Sequence, residues 1–529
     1  MAERNTGRSW INKYLIALAI MPPAIMELLD TSVVNVSLPH IGGSLGSSAI
    51  EATWVLTSYL VANAIVVPLG GWLSHHFGRK NLLLSVVVGF TVSSFLCGLA
   101  PNLPLLVLFR VLQGLTGGGL QPISQSILFE EFPPNERQRA MSIWATGVVL
   151  APILGPTVGG WITDTWSWRW VFFINIPIGI LSWILISAFV RDPEYLRDGK
   201  AAKMDGTGIL LLAFGMAAFQ VVLDKGEQVD WFSSHLIVIL AIVAVLFLVL
   251  FVFRELRAPN PFVKVRLFKD WHFGWGSFVG FLMYSTLFGS VVLVPLFMET
   301  VLGWPAITTG LWTAPRGIGS LCAISCQWVP GFQKIRGSPW IAVICFAISG
   351  WIFLFGFPHV TAYAHMNLYS GTWDLFWPQC IQGFVVSLAF MPIVVGTTSH
   401  VKSADMPYAT SLYGAIRNIG SGVGISFVGI YLDQRNRVHQ AVLATRAFPG
   451  NPPFVRAAGG LRKLFMTYTA DGHLADQQAR AALYQEMLRQ ANLLSFLDAF
   501  RFFGMVLLSV SLMLFVVDIA VPMFAKPKF

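Results

Sequence analysis

The sequence has little charge and few cysteines, and each shortage excludes a class of protein. Charged residues make up 12% of the 529 residues, about half of the roughly 25% found in soluble globular proteins. The five cysteines all lie in apolar runs, with neither a disulfide framework nor metal-ligand spacing. The nucleotide-binding pattern GxxxxGK[ST] does not occur either. A soluble enzyme, a disordered chain and an ATP-driven machine are therefore excluded, and we expect no cofactor and no metal.

Long apolar runs dominate the sequence instead. Hydrophobic residues make up 55% of the chain, and the mean hydropathy is +0.66. A helix needs about 20 apolar residues to cross the hydrocarbon core of a bilayer, and fourteen such runs predict an all-α, multi-pass membrane protein. The runs lie at roughly 14–38, 51–73, 81–100, 104–129, 140–163, 169–190, 206–223, 234–253, 273–299, 305–330, 338–357, 370–395, 405–432 and 502–525.

The basic residues predict the orientation of these spans. The first run follows basic residues as a secretory signal does, but it is too long and too acidic for one, so we interpret it as a span. Short cytoplasmic loops carry an excess of Lys and Arg, and with fourteen spans both termini would be cytoplasmic. The net charge of +9 then reflects topology rather than nucleic-acid binding. Basic residues on the N-terminal side include Arg79, Lys80, Arg137, Arg139, those within 191–203 and 254–269, Lys334 and Arg336.

A weak internal repeat predicts how the spans are organised. Arg110-x-x-Gln113-Gly114 in the fourth span is echoed by Gln382-Gly383 in the twelfth, and a proline follows each. Such repeats are typical of secondary transporters. We predict a six-helix bundle at 14–190, two inserted helices at 206–253, and a second six-helix bundle at 273–525 that includes an outer loop at 433–500.

Ionisable residues inside the spans are candidates for chemistry, because each costs at least ~2.5–3.5 kcal/mol at the membrane centre. Glu27 and Asp30 lie three residues apart and share a helical face. Desolvation and mutual repulsion should raise their proton affinity, which makes them candidate proton carriers. Asp30 and Arg110 lie ~12 Å and ~9 Å from the outer ends of their spans, so we predict that they are in contact. The alternative is a static pair that holds the helices together.

The fifth span is rich in small residues and proline. Small residues let helices approach closely, and prolines bend them. This surface either packs helices together or, more specifically, forms a dry seam between the two bundles that prevents proton leak. Its residues include Gly147, Gly155, Pro156, Gly159 and Gly160.

A cytoplasmic stretch after the second span predicts a tight turn with cations at the membrane edge. It contains Gly71, His75, Gly78 and Arg79. A topology anchor is the alternative.

In the outer loop, Leu474–Leu494 has helical periodicity, which indicates either a solvated cap or a surface that docks a partner.

Two further arginines lie within apolar spans. Arg316 follows Pro315, where the helix is weakened, and Arg417 lies deep in the thirteenth span. Each contacts either an anionic group of a ligand, or a helix C-terminus or carboxylate of a neighbouring span. The sequence does not decide between these alternatives.

Several of these motifs resemble the major facilitator superfamily, specifically its 14-span drug:proton antiporters of the EmrB/QacA type. The resemblance runs nearly end to end, and the acid of the first motif and the arginine of the second are the family's proton-coupling residues. The matching stretches are Leu29-Asp30-Thr-Ser-Val-Val-Asn35-Val-Ser-Leu-Pro39, Arg110-x-x-Gln113-Gly114, Gly155-Pro156-x-x-Gly159-Gly160, Pro315-Arg316-Gly317, Phe376-Trp-Pro-Gln379 and Arg417-Asn-Ile-Gly420.

The resemblance implies a proton-coupled exporter of amphiphilic compounds that works by alternating access in a bacterial inner membrane. It also implies a periplasmic EmrA-like adaptor and a TolC-like outer-membrane channel as partners. His75 departs from the family, which usually has an acid at that position of the cytoplasmic loop motif. The residues expected to line the substrate cavity or act in gating are Asn35, Gln113, Arg316, Gln379 and Arg417.

Two other functions are compatible with parts of this pattern. A transporter dedicated to one metabolite class, such as a siderophore, fatty acid or lipid, would use the same fold, and a narrow substrate profile would identify it. An intramembrane enzyme would need a catalytic cluster such as HExxH, which the ten histidines do not form. A sensor would usually add a soluble output domain, which the sequence does not show.

Overall fold

Helices account for nearly all the regular structure. The computed structural model describes residues 10–47, 49–133, 136–191, 206–226, 229, 231–258, 261–326, 338–402, 405–448, 450–469 and 471–520. Within these ranges the one β feature is an isolated bridge between Phe357 and Val360. The predicted all-α class is confirmed. The predicted basic positions at 192–203, Lys334 and Arg336 lie outside the described residues.

The described residues of the first part of the chain form ten α-helices, and glycine or proline lies at several of the breaks between them. For example, Gly78 has a left-handed φ of 78°, which ends one helix and begins the next. The helices are α1 (Trp10–Ser44), α2 (Ala49–Ala52), α3 (Trp54–Val66), α4 (Gly70–Phe77), α5 (Arg79–Leu99), α6 (Leu103–Gly117), α7 (Leu120–Glu131), α8 (Arg137–Thr165), α9 (Trp170–Phe173) and α10 (Asn175–Phe189).

Ten more helices follow. The break between α14 and α15 falls at Pro315, because proline has no backbone N–H with which to continue the hydrogen bonding of α14. The helices are α11 (Gly206–Lys225), α12 (His235–Arg257), α13 (Trp271–Thr300), α14 (Ala306–Thr313), α15 (Pro315–Cys326), α16 (Pro339–Leu354), α17 (Thr372–Thr398), α18 (Met406–Ala444), α19 (Pro452–Met466) and α20 (Gly472–Leu514).

Eleven helices among the described residues are long and apolar enough to cross a membrane. Each lies over one of the fourteen predicted spans. The other three predicted spans correspond to α8, to the interrupted pair α14 and α15, and to α16, which has 16 residues. The count of fourteen therefore stays a prediction.

The helices pack in two sets. In the first, α1 contacts α7, α8 and α10, α3 contacts α6, and α5 contacts α6 and α10. In the second, α17 contacts α13, α15 and α16, while α18 and α20 contact each other. We call these sets, α1–α10 and α13–α20, the first and second halves. They meet where α18 lies against α4 and α7, and where α8 lies against α14, α15 and α17. The predicted domain boundaries themselves stay a prediction.

The predicted outer loop at 433–500 is largely helical. Helix α18 continues to Ala444, and α20 begins at Gly472 and runs into the last span without a break. The Asp498 carboxylate ties them together by accepting from Arg435 Nε at 2.7 Å and by pairing with His439 at 2.8 Å. The prediction of a helix over Leu474–Leu494 is confirmed, and both helices extend beyond the predicted spans at 405–432 and 502–525 into the predicted loop.

Candidate functional site

Asp30, on α1, lies at the centre of a buried polar cluster. Its side chain is fully buried, and Arg110 Nη1 donates to its Oδ2 at 2.6 Å. Gln113 Nε2 and Asn175 Nδ2 donate to its Oδ1 at 3.0 and 2.8 Å. The predicted contact between Asp30 and Arg110 is therefore present. The carboxylate thus accepts from three donors, one of which carries a full opposite charge.

Arg110, on α6, is held by α3 as well as by the acid. Its Nε donates to the backbone oxygen of Val55 at 3.0 Å, and its guanidinium carbon lies 4.2 Å from the centroid of the Tyr59 ring. Gly114 makes this approach possible, because a Cβ at that position would lie 2.4 Å from the backbone oxygen of Tyr59. The glycine of the Arg-x-x-Gln-Gly motif thus lets α6 and α3 meet closely enough to enclose the arginine.

Asn175 is a member of this cluster that the sequence reasoning missed. It is the first residue of α10, it is fully buried, and its Nδ2 also lies 3.0 Å from Ser94 Oγ on α5. Ser94 in turn donates to the backbone oxygen of Phe172 at 2.9 Å. An amide inside the apolar run predicted at 169–190 was the available signal. Through these contacts Asp30 connects α1 to α5, α6 and α10, all in the first half.

Glu27 has a different set of partners, although it lies one turn from Asp30. Its Oε1 accepts from Asn63 Nδ2 at 2.9 Å. Asn63 Oδ1 accepts in turn from Asn418 Nδ2 on α18 at 3.2 Å. Glu27 is 5% exposed. A chain of two hydrogen bonds therefore joins this carboxylate to the second half of the protein.

Arg417 provides a second connection between the halves. Its Nη2 donates to Gln121 Oε1 on α7 at 3.2 Å, and its Nη1 donates to the Tyr284 hydroxyl at 3.2 Å. Its charge also acts on the Glu27 carboxylate through space. Both hydrogen bonds of Arg417 go to neutral groups, so the two alternatives for this arginine stay open. We call Glu27, Asn63, Gln121, Arg417 and Asn418 the inter-half link.

Arg316, on α15, lies in a cluster confined to the second half. Its Nε donates to Gln379 Oε1 at 2.9 Å, and its Nη2 donates to Gln382 Oε1 at 2.8 Å. Both glutamines belong to α17, and all three side chains are buried. The structure thus brings together two residues predicted to line a cavity, Arg316 and Gln379. It places the other predicted cavity residues elsewhere: Gln113 at Asp30, Arg417 at the inter-half link and Asn35 on an exposed part of α1.

The glycines of α8 face α1. A Cβ on Gly147 would lie 2.5 Å from the Ile25 side chain. A Cβ on Gly155 would lie 2.2 Å from Ser32 Oγ, and one on Gly159 would lie 2.9 Å from the Val33 backbone oxygen. Because α1 and α8 belong to the same half, these three glycines pack helices within it. Helix α8 as a whole also lies against α14, α15 and α17 of the second half, so the hypothesis that its surface forms the seam between the bundles stays a prediction. Pro156 lies in the same helix.

Substituting Gly159 tests this packing. We expect Gly159→Val to destabilise the protein by about 1–3 kcal/mol, because the new side chain meets the α1 backbone. Gly160→Val is a matched control, since the nearest atom to a Cβ there is Val36 Cγ1 at 4.0 Å. Thermal unfolding in detergent measures both variants. Equal midpoints for the two would contradict the close α1–α8 contact.

The loop motif that contains Gly71, His75, Gly78 and Arg79 lies where the halves meet through α4 and α18. A Cβ on Gly71 would lie 2.7 Å from Tyr408 Cα, and the His75 ring stacks on the Tyr408 ring with centroids 5.0 Å apart. Histidine, in place of the family's acid, thus contacts the other half through its ring. The predicted tight turn is present at Gly78, and Arg79 is buried and paired with Glu130.

Comparison with known proteins identifies relatives over nearly the whole chain. A family model described as Major Facilitator Superfamily matches residues 24–425. The Multidrug export protein EmrB of Haemophilus influenzae is 35% identical over 525 residues, covering 97% of this chain and 96% of that protein. The EmrB of Escherichia coli K12 is 34% identical over 517 residues, with coverages of 97% and 96%.

A third relative has a different name, and a solved structure shares the fold. The Fatty acid resistance protein FarB of Neisseria gonorrhoeae is 37% identical over 442 residues, covering 82% of this chain and 83% of that protein. The crystal structure of the human organic anion transporter MFSD10 matches with a TM-score of 0.55 and 13% identity, covering 79% of this chain and 94% of that one. At that identity the likeness concerns the fold alone.

Proposed function

The chain belongs to the major facilitator superfamily, and from that premise we propose that it is a proton-coupled exporter of amphiphilic compounds. The observation that carries the proposal is the buried cluster of Asp30, Arg110, Gln113 and Asn175. An ionised acid inside a span is costly and is typical of a proton or ion pathway. The names of the EmrB relatives support multidrug export as the activity.

Protonation of Asp30 would change the balance of this cluster. The neutral acid no longer attracts Arg110 as a full charge, and the guanidinium is then buried without its counter-ion. The pair therefore favours different local arrangements with and without the proton. We propose an alternating-access mechanism, in which the protonated and deprotonated states of the pair open toward opposite sides of the bilayer. Only then can a membrane potential or a pH gradient act on the pair.

The inter-half link supplies the connection between protonation and movement. Asp30 binds residues of the first half only, whereas Glu27 is connected to Asn418 and Arg417 of the second. We propose that Glu27 and Asp30 both take up protons, and that loss of charge at Glu27 weakens the contact between the halves. Separation of the halves would then expose the cavity between them.

The membrane arrangement follows the sequence prediction. We propose fourteen spans, with α8, the pair α14 and α15, and α16 added to the eleven apolar helices. Both termini would be cytoplasmic, and the location would be a bacterial inner membrane. The extensions of α18 and α20, together with α19, would then lie in the periplasm. There they would meet an EmrA-like adaptor and, through it, a TolC-like outer-membrane channel.

A second candidate function is export of one class of metabolite, as the name of the FarB relative suggests for fatty acids. It uses the same fold and the same proton-coupling cluster. The two functions differ in substrate range and not in mechanism, so a panel of compounds separates them.

Transport in inside-out proteoliposomes tests the proposal. With an acidic lumen, we expect amphiphiles of different charge and shape to accumulate inside while a lumenal pH dye reports proton release. Accumulation of fatty acids alone would favour the second candidate. Accumulation that ignores the direction of the pH gradient would contradict proton coupling, and vesicles without protein provide the control.

A further inference from the structure

Arg316 is a buried cation of the second half for which no carboxylate partner is found among the described residues. Arg316 is 4% exposed, and its two hydrogen bonds go to the neutral amide oxygens of Gln379 and Gln382. Arg110 is paired with Asp30, whereas Arg417 donates to the neutral groups of Tyr284 and Gln121 and acts on Glu27 only through space. A buried charge without a partner is costly unless an opposite charge is brought to it.

No acid lies in the interior of the spans between residues 273 and 432, and Asp518 in the last span accepts from Trp275 Nε1 at 3.3 Å. Between residues 273 and 432 the acids are Glu299, Asp374 and Asp405, and all three lie at helix ends. Asp374 accepts from the Gly371 backbone and from Thr361, each at 2.8 Å, and Asp405 pairs with Lys264. Glu299 is the penultimate residue of α13. The counter-charge of Arg316 therefore has to come from outside these spans.

The internal repeat shows what is missing. When Gln382-Gly383 is aligned with Gln113-Gly114, Gln379 takes the place of Arg110. Gln113 donates to Asp30 on α1, and its counterpart Gln382 donates to the Ser290 hydroxyl on α13 at 3.3 Å. The second half thus repeats the cluster, but the Ser290 hydroxyl stands where the first half has the Asp30 carboxylate. The second half still has a buried cation, Arg316, which lies on a different helix from Gln379 and Gln382.

Two apolar surfaces adjoin the residues of this cluster, one next to Arg316 along the chain and one at Gln382. One turn before Arg316, the Trp312 ring contacts Trp373 and Phe376, with centroids 6.1 and 6.3 Å apart. Trp373 is 65% exposed, so the aromatic group reaches the surface. Gln382 is part of the lining of a cavity whose walls are otherwise mainly apolar, including Phe346, Val385 and Leu507. A buried cation whose cluster adjoins apolar surfaces is suited to an amphiphile with an anionic head.

We propose that Arg316, with Gln379 and Gln382, forms an anion-binding site for the head group of an amphiphile. The carboxylate, sulfonate or phosphate would bind the guanidinium, and the apolar part would lie against Trp312, Trp373 and Phe376. This inference rests on the proposed export function in one respect, that the ligand is a substrate. The same chemistry is found in an anionic lipid, so the experiment has to separate the two sources.

Equilibrium binding to the purified protein in phosphatidylcholine nanodiscs tests the site without any gradient. The probes are decanesulfonate and decyltrimethylammonium, which share a chain and carry opposite permanent charges. We expect Arg316→Gln to weaken decanesulfonate binding by about tenfold or more, as expected for loss of a charge-assisted hydrogen bond. Decyltrimethylammonium binding should not weaken. Arg316→Lys keeps the charge but loses the planar fork, and should show an intermediate affinity.

Arg169→Gln is the matched control, because it removes the same charge from a partly buried arginine that donates to the Ala100 backbone oxygen. Size-exclusion profiles show whether each variant is folded, and Arg316→Lys keeps the test decisive if the glutamine variant is not. Unchanged preference for the sulfonate in Arg316→Gln, or an equal loss in Arg169→Gln, would overturn the site.

If phosphatidylglycerol in the discs displaces the sulfonate from wild type only, the anion is a lipid head group and the substrate assignment fails. Absence of transport with intact binding would instead contradict the proposed function.

Discussion

Asp30→Asn is expected to abolish accumulation of substrate driven by a pH gradient, while downhill exchange of substrate continues. Asparagine has nearly the same shape and can still accept from Gln113 and Asn175, but it cannot bind or release a proton. Without a titrating group at Asp30, movement of the halves is no longer tied to the proton gradient. Uphill accumulation should fall to that of vesicles without protein.

The same substitution should also lower stability, because Arg110 remains buried without its counter-ion. Breaking a buried pair by removing one partner typically costs about 3–5 kcal/mol. The double variant Asp30→Asn with Arg110→Gln removes both charges, so it should recover much of this stability. It should not recover gradient-driven accumulation, which separates the role in transport from the role in folding.

Asp164→Asn is a suitable control, since it removes an acid from the same half whose side chain is 50% exposed. Transport by this variant should match wild type. Full uphill accumulation by Asp30→Asn in the same vesicles would refute the proton role of Asp30. Recovery of that accumulation in the double variant would show instead that the pair is only a structural one.

The sequence predicted the centre of the site well, and physical reasons explain why. Asp30 and Arg110 are ionisable residues in long apolar runs, so the cost of burying them requires a partner. Their depths, counted from span ends at 1.5 Å per residue, place them level with each other. The motifs around Asp30 and Arg110 also lie in single helices, where spacing along the chain fixes the face on which a residue lies.

Contacts between distant helices could not be predicted in the same way. Asn63 and Asn418 are 355 residues apart, and their contact depends on how the two halves sit against each other. The glycines of α8 illustrate the same limit, because the pattern predicts close packing but not that α1 is the partner. The extensions of α18 and α20 beyond their apolar stretches were predicted as loop, since charged residues end an apolar run without ending a helix.

Glu27→Gln is expected to remove the dependence of the inter-half contact on pH. The glutamine can still accept from Asn63, but Arg417 loses the charge that acts on it across the link. We expect the population with the link formed to fall by about tenfold, as expected when a hydrogen bond to a charged group is replaced by one to a neutral group. Distances between spin labels at Leu99 and Val438, exposed positions in the first and second halves, report this population.

In wild type, acidification should shift the Leu99–Val438 distance distribution, because protonation of Glu27 removes the same charge as the glutamine substitution. The shift should be in the direction that Glu27→Gln shows at every pH. Glu299→Gln is the matched control, since it removes a carboxylate from the end of α13, away from the link, and should keep the wild-type response. Asn418→Ala breaks one hydrogen bond of the link without touching a charge, so it should shift the distances but keep their pH dependence. A full pH response in Glu27→Gln would leave Asp30 as the acid that moves the halves.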